Sequence, residues 1–434
     1  MEDKNQVSTE MGLPLESEPF FKEMKVDKWD KIFAAAYLVL GYVLWKTGQY
    51  DSFFNISGFV VLYIALVSVY CFVKGFHING EKIFWSIILL GVGIPYGYYS
   101  IMPLTQLGML GVVGAYWTLV MTEALVSEGK TSSWVLLDVW YALIILPLSN
   151  FLCQIRVLLQ SLFSKSQKRT GVMILLGIGI SMPVLVIILP VLSQADAGFS
   201  QMLGRALGNI FDGGLFLQLC IEIPIVLILS SLMFGTVYGG IYQRNIEKGL
   251  CKEHQEISGE GLHIIPDVAI YTFAGIIGFT YVLFIAFQAK YLFSACAGIL
   301  PESFTYAEYA RQGFFELCGI TAFNVLLLLF MNVFTRTITR ENKVLSVINV
   351  AFSTVTILLL ITAMSKMGMY IAVYGFTIKR IQASVFMIWL FLVLAMIIYH
   401  QKKKIPLVRR AVFSGAVLFT LLCILPLEAM LSLY

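Results

Sequence analysis

A glutamate inside a long apolar stretch is the first residue whose type and position could do chemistry. Glu222 lies well inside the apolar run 214–238, with Gln218 one helical turn before it and Pro224 just after it. An ionised side chain at bilayer depth costs roughly 2.5–3.5 kcal/mol on insertion scales, so it usually faces a cavity or a partner. The pattern predicts either a protonatable or cation-binding group in a cavity, or a structural glutamate bonded to a neighbouring helix.

A second set of polar residues stands where another apolar run, 313–335, begins. Glu308 and Arg311 are three residues apart and can pair on a helix. Tyr309 and Glu316 are seven residues apart and share a helical face. These residues predict either an ordinary ion pair at a helix entry or a functional group of side chains at that end.

Lys379 and Arg380 form a third group, and Tyr370 and Tyr374 precede them. Long cationic side chains near a helix end often extend to the membrane interface, which is one interpretation. The other is that the two cations bind an acidic partner or an anionic headgroup.

The composition shows what kind of element must position these residues. The chain has 434 residues, of which 59% are hydrophobic and 13% are charged, and soluble domains carry roughly 45–50% apolar and about 25% charged residues. One water-soluble core cannot bury this excess, so the sequence predicts an all-α, polytopic transmembrane helix bundle. The net charge of +4 is too small to indicate nucleic-acid binding, and the seven cysteines do not predict a thiolate metal site.

Apolar runs long enough to cross a membrane predict about twelve spans, with a range of eleven to thirteen. The predicted spans are 29–46, 54–74, 83–101, 104–126, 133–150, 170–192, 214–238, 264–288, 313–335, 343–364, 381–400 and 411–431. Helical patterning also predicts two interfacial amphipathic stretches, one from Phe199 to Phe211 and one from Phe151 to Phe163. The predicted division is a polar tail over 1–28, an N-terminal transmembrane region over 29–165 and a C-terminal transmembrane region over 166–434.

Basic residues between the spans predict the orientation, because short cytoplasmic loops are rich in Lys and Arg. Three such loops lie on one side and contain Arg244, Lys248, Lys252, Arg336, Arg340, Lys343, Lys402, Lys403, Lys404, Arg409 and Arg410. Counting spans back from the basic segment 156–169 puts the N-terminus outside, whereas the lysines of the tail favour the inside. A re-entrant segment within 83–126 would remove this conflict.

Two segments resemble motifs of a known family. The run Thr305–Leu317 and the run Leu192–Phe199 are similar to motifs of a bacterial domain-of-unknown-function family of polytopic membrane proteins, family 4173, which is related to family 4153. The segment Tyr374–Arg380 resembles a third motif with a different spacing of its basic residue. The resemblance covers roughly 170–400 and implies a multi-pass fold in a bacterial cell membrane, with no established activity.

The sequence contains no P-loop, metalloprotease or nucleophile-elbow motif, so we predict no catalytic residue, metal or cofactor. The main prediction is a transporter-like or lipid-handling or small-molecule-handling protein with an outward-facing polar cavity. The alternative is a non-catalytic sensor, anchor or accessory subunit, and a third hypothesis is an intramembrane enzyme using Glu308 and Glu316. Predicted partners are membrane lipids and either a membrane protein or a second copy of the chain, without nucleic acid. The residues predicted to line the cavity are Gln218, Glu222, Glu308, Tyr309, Arg311, Glu316, Lys379 and Arg380.

Cysteine substitution at Glu222 and Glu316 tests the predicted cavity. If both positions line a path open to the outside, impermeant thiol reagents added outside intact cells should label both cysteines. Protection of both positions would contradict the cavity.

Overall fold

The structure is a computed structural model of the chain. It describes residues 26–48, 55–100, 102–125, 130–132, 134–162, 213–244, 265–294, 316–328, 343–403 and 405–427, together with residue 331 and single residues between 177 and 202. The regular elements of these residues are helices, which confirms the predicted all-α class for this part of the chain.

Thirteen helices and one π-helical turn, Tyr141–Ile145, are numbered here in chain order. They are α1 Lys28–Thr47, α2 Ile56–Val73, α3 Gly80–Tyr96, α4 Pro103–Met121, α5 Val135–Trp140, α6 Leu146–Ser149, α7 Cys153–Leu162, α8 Gly213–Ile241, α9 Asp267–Ser294, α10 Glu316–Leu328, α11 Lys343–Tyr374, α12 Ile378–Lys402 and α13 Leu407–Ile424. Apart from 170–192, each predicted span overlaps one or more of these helices.

Fewer helices of the described residues qualify as membrane crossings than the twelve spans that the sequence predicts. In the described part of the chain, seven helices are long and apolar enough to cross a membrane, or eight if a bent pair of helices counts as one crossing. The prediction of about twelve spans is therefore not confirmed, and the chain is described here as a multi-pass membrane protein. The predicted span 170–192 lies almost entirely outside the described residues.

The helices pack into two bundles with separate apolar cores. The N-terminal bundle contains α1 to α8, and the C-terminal bundle contains α9 to α12. Helix α13 packs against α3 of the first bundle and against α12 of the second. Helix α8 packs against α1, although the sequence places it in the C-terminal region. The predicted domain division stays a prediction.

Helices α1 and α8 run antiparallel along their whole shared length. Gly41 approaches Ser230, and the ring of Tyr37 meets that of Phe234 edge-on at 5.6 Å between centroids. A Cβ atom on Gly41 would lie 2.8 Å from the Cβ of Ser230, so only glycine fits here without a shift. The α1–α8 pair therefore depends on one residue without a side chain.

Six helix ends meet on one side of the N-terminal bundle, which we call the basic face. Helices α1, α3 and α13 begin there, and α2, α4 and α8 end there. Ion pairs and hydrogen bonds join these ends through Asp30, Lys74, Glu81, Lys82, Glu123, Tyr242, Gln243 and Arg409. The start of α1 and Arg244, which follows the end of α8, therefore lie on the same side of the bundle.

The bent element lies later in the chain than the sequence predicts. Helices α3 and α4 form an antiparallel pair, whereas Val135–Ser149 and Cys153–Gln160 meet at a 44° bend. Thr131, just before this element, donates its backbone N–H to Glu81 at 2.6 Å, and Gln154 donates to the carbonyl of Ala34 at 2.9 Å. Thr131 and Gln154 thus both contact the basic half of the bundle, and the predicted orientation of the N-terminus stays a prediction.

The two predicted interfacial stretches have different outcomes. The stretch 151–163 coincides with α7, where Gln154 and Val157 are buried against α1 and α8. This helix therefore packs on protein along one face. Most of the stretch 199–211 lies outside the described residues.

Replacement of Gly41 by leucine tests the close approach of α1 and α8. Overpacking a tight contact costs typically 1–3 kcal/mol, so we expect Gly41→Leu to lower the thermal stability of the purified protein. Gly58→Leu on α2 is the matched control, because a side chain there meets no atom within 4 Å. Fluorescence-detected size-exclusion after heating measures both, and equal melting temperatures would contradict the close packing.

Candidate functional site

Glu222 forms an ion pair with a residue that the sequence analysis did not single out. Its carboxylate lies 2.5 Å from the ammonium of Lys46, and the two side chains are 9% and 18% exposed. Lys46 stands in the last turn of α1, so Glu222 lies near the end of the α1–α8 pair that is remote from the basic face. The geometry matches the structural alternative, in which the glutamate is bonded to a neighbouring helix. Gln218 lies on α8 one turn earlier, and its side chain is outside the described set.

The other predicted candidates belong to the C-terminal bundle or lie outside the described residues. Glu308, Tyr309 and Arg311 lie outside the described residues. Glu316 is the first residue of α10 and is exposed. The structure therefore places Glu222 and Glu316 in different bundles, and the shared cavity proposed for them stays a prediction.

Arg380 makes structural contacts at the junction of α11 and α12. Its guanidinium lies 4.0 Å from the ring centroid of Tyr370 and donates to the backbone carbonyls of Tyr374 and Gly375. These carbonyls follow the last turn of α11, where positive charge is favourable. Gly375 has a φ of +73°, a left-handed conformation that favours glycine. Arg380 thus caps α11, whereas Lys379 is exposed beside it.

A buried ionic network on the basic face was missed by the sequence analysis. Asp30 is fully buried, and its carboxylate accepts from Lys74 at 2.7 Å, from the Tyr70 hydroxyl at 2.7 Å and from the Tyr242 hydroxyl at 2.6 Å. Burial, followed by the hydrogen bond to Asp30, raises the pKa of Tyr242, which keeps this phenol protonated as a donor. The sequence signal for this network was an aspartate near the start of one apolar run and a lysine at the end of the next.

Lys366 is a second functional candidate that the sequence analysis missed. It is fully buried on α11, and the charge of Glu316 acts on it across the helix pair. The predicted span ended at residue 364, which left Lys366 outside it, whereas α11 continues to Tyr374. Extending the apolar run to the tyrosines would have brought this lysine inside the membrane.

An apolar cleft of about 570 Å³ lies between the two bundles. Helices α3, α4 and α5 form one wall, and α12 and α13 form the other. Its lining is almost entirely hydrophobic, with Val113, Phe386 and Ala416 among the side chains that face it. Ligand pockets for small molecules usually measure about 300–1,000 Å³, so the cleft is large enough for a ligand.

The cleft has a polar residue at each end. Gln382 lines it on α12, and Tyr116 lines it on α4 near the basic face. Lys379 precedes Gln382 by three residues and so lies close to its helical face, one turn further out. Arg409 precedes the lining residue Val412 by the same spacing on α13 and is paired with Glu81 at 3.0 Å.

Metal binding has no support in the part of the chain that the structure describes. In that part, no cluster of three or more His, Cys, Asp or Glu side chains could hold a metal ion.

These features define a multi-pass α-helical membrane protein whose helices enclose an apolar cleft. The chain belongs to the family described as Domain of unknown function (DUF4153), whose sequence profile matches residues 84–434. The match begins within α3 and therefore covers more of the chain than the motifs in 170–400 indicated. Membership of the related family 4173 is not shown. No curated protein and no solved structure matches the chain.

A double-mutant cycle on Lys46 and Glu222 tests whether their ion pair is structural. Removing one partner of a buried pair leaves an uncompensated charge, so we expect Lys46→Met and Glu222→Gln each to lower unfolding stability, Lys46→Met by about 3 kcal/mol. The double variant should regain most of that loss, because neither charge then remains buried alone. Additive losses measured by denaturant unfolding in detergent would show that the two side chains do not interact.

Proposed function

We propose that this protein binds an anionic phospholipid, with an acyl chain in the apolar cleft and the headgroup against Lys379. The proposed setting is the cytoplasmic membrane of a bacterium, with the basic face toward the cytoplasm. The observation that carries the proposal is an apolar cleft within membrane-embedded helices that leads to an exposed lysine.

The length of the cleft fits a lipid tail. On α4 the lining extends from Met102 to Tyr116, which corresponds to about 21 Å of helix at 1.5 Å per residue. The hydrocarbon core of a bilayer is about 30 Å thick, so the cleft follows about two thirds of it. A hydrocarbon chain is the ligand that such a length and such a lining favour.

The position of Lys379 supports a negatively charged headgroup. Helix α12 begins beside Lys379 and ends near the basic face, where a short connection leads to α13. Lys379 therefore stands at the membrane surface opposite the main group of basic residues. A lysine near an anionic membrane surface contributes about 1 kcal/mol to binding.

Lipid binding is a narrower form of the transporter-like function predicted from the sequence. A lipid that enters between the bundles has three possible fates: transport, presentation to another protein, or retention as a structural component. Of these, we propose transport. A membrane-protein partner or a second copy of the chain stays a prediction.

Photo-crosslinking tests the proposed tail site. The probe is phosphatidylglycerol with a diazirine in its acyl chain, incorporated into nanodiscs with the purified protein and located by mass spectrometry. We expect crosslinks on cleft residues and their loss in Ala416→Phe, which fills the cleft. Val417→Phe is the matched control, because Val417 is the next residue and is 40% exposed on the outer surface of α13. Equal crosslinking across all lipid-facing helices would overturn the tail site.

The same nanodiscs test the headgroup site by comparing phosphatidylglycerol with phosphatidylcholine. Loss of about 1 kcal/mol should reduce the preference of the protein for the anionic lipid roughly fivefold in Lys379→Gln. Lys402→Gln, at the other end of the same helix, should leave the preference unchanged. An unchanged preference in Lys379→Gln would exclude this lysine as the headgroup contact.

A further inference from the structure

Buried polar side chains occur at several positions along α11, inside the C-terminal bundle. Asn349, Ser353, Thr356 and Lys366 are each fully buried in the C-terminal bundle. From Asn349 to Lys366 the helix rises about 26 Å at 1.5 Å per residue. This distance approaches the thickness of about 30 Å of a bilayer core. Polar groups thus occur at several depths of one helix, among the apolar side chains of the bundle core.

Neighbouring helices add polar groups to the same interior. Asn324 on α10 donates its amide to the hydroxyl of Thr356 at 2.9 Å, and Tyr281 on α9 donates to the Asn324 carbonyl at 2.5 Å. Thr321, one turn from Asn324 toward the start of α10, is also fully buried. Because α10 and α11 are antiparallel, Thr321 lies between the depths of Thr356 and Lys366. We call these seven residues the polar seam: Asn349, Ser353, Thr356, Lys366, Thr321, Asn324 and Tyr281.

The hydroxyl of Ser353 offers the seam a place to bind water. Its Oγ atom is buried and has no hydrogen-bond partner among the described residues. Thr356 and Thr362 on the same helix each donate to the carbonyl four residues earlier. A buried polar group without a partner costs about 1–3 kcal/mol, and ordered water is the usual remedy. A water molecule at Ser353 would satisfy the hydroxyl.

The polar seam ends at Lys366, toward the C-terminus of α11, and we call this its charged end. Lys366 and Glu316 interact electrostatically there. The other described titratable groups on or packed against this part of α11 are Cys318 on α10, Tyr281 on α9, Tyr370 and Tyr374 on α11, and Lys379 and Arg380 on α12. Arg380 is held by Tyr370 and the end of α11, and Glu316 is an acidic group among the described residues whose charge acts on Lys366.

We propose that the polar seam is a hydrated path that conducts protons through the C-terminal bundle, with Lys366 as the proton-binding group at its charged end. Hydroxyl and amide groups hold water in a chain that relays protons, and ionisable residues inside membranes commonly mark such relays. A buried ammonium repels metal cations, since like charges interact strongly where the dielectric is low. This path is separate from the lipid cleft and does not depend on the proposed lipid function.

Proton flux into proteoliposomes tests the path. Vesicles containing the full chain and a trapped pH-sensitive dye receive a potassium diffusion potential through valinomycin, and internal acidification is followed. We expect the native protein to exceed protein-free vesicles, and Lys366→Met to fall to the protein-free level. Lys343→Met is the matched control on the same helix, because Lys343 is exposed at its start, and it should conduct like the native protein.

Ser353→Ala keeps the test decisive if Lys366→Met fails to fold. Removal of a buried hydroxyl without a protein partner does not break a protein contact, so the variant should fold and its flux should fall. Native flux equal to that of protein-free vesicles, or native-like flux in Ser353→Ala, would overturn the hydrated path. Native-like flux in a folded Lys366→Met would exclude Lys366 as the proton-binding group.

Discussion

The antiparallel contact between α1 and α8 is the interaction on which the N-terminal bundle depends. Gly41 lets the two backbones approach, an ion pair between Lys46 and Glu222 closes the contact at one end, and a hydrogen bond from Tyr242 to Asp30 closes it at the other. Since Asp30 also holds Lys74 and Tyr242, the helix pair brings the ends of α1, α2 and α8 together. The position of the basic face follows from this arrangement.

The two bundles use polar side chains in different ways. In the N-terminal bundle the ion pairs stand near helix ends, where they join neighbouring helices and keep charge away from the bilayer centre. In the C-terminal bundle the polar groups lie along the middle of α11 and include a fully buried lysine. Between the bundles the cleft is almost entirely apolar. The chain thus contains an apolar cleft and a polar bundle interior that are only a few helices apart.

The helices could be predicted from the sequence because the length and composition of an apolar run determine whether it can cross a membrane. The runs 214–238 and 411–431 correspond to α8 and α13 on this basis. The partners of the charged residues could not be predicted in the same way. Lys46 and Glu222 are 176 residues apart, and only the packing of α1 on α8 brings them together. The cleft likewise depends on a gap between helices that are distant in the chain.

Helix α13 connects the bundles, and this has a consequence for the order in which the protein is made. Its Phe413 stacks on Phe84 of α3, its Thr420 packs at Gly91, and its Ala411 carbonyl accepts from Trp389 of α12. A ribosome synthesises α3 and α12 before α13, so one wall of the cleft lacks its α13 part until this helix has been inserted. The cleft is therefore completed after both of the helices that α13 joins are already in place.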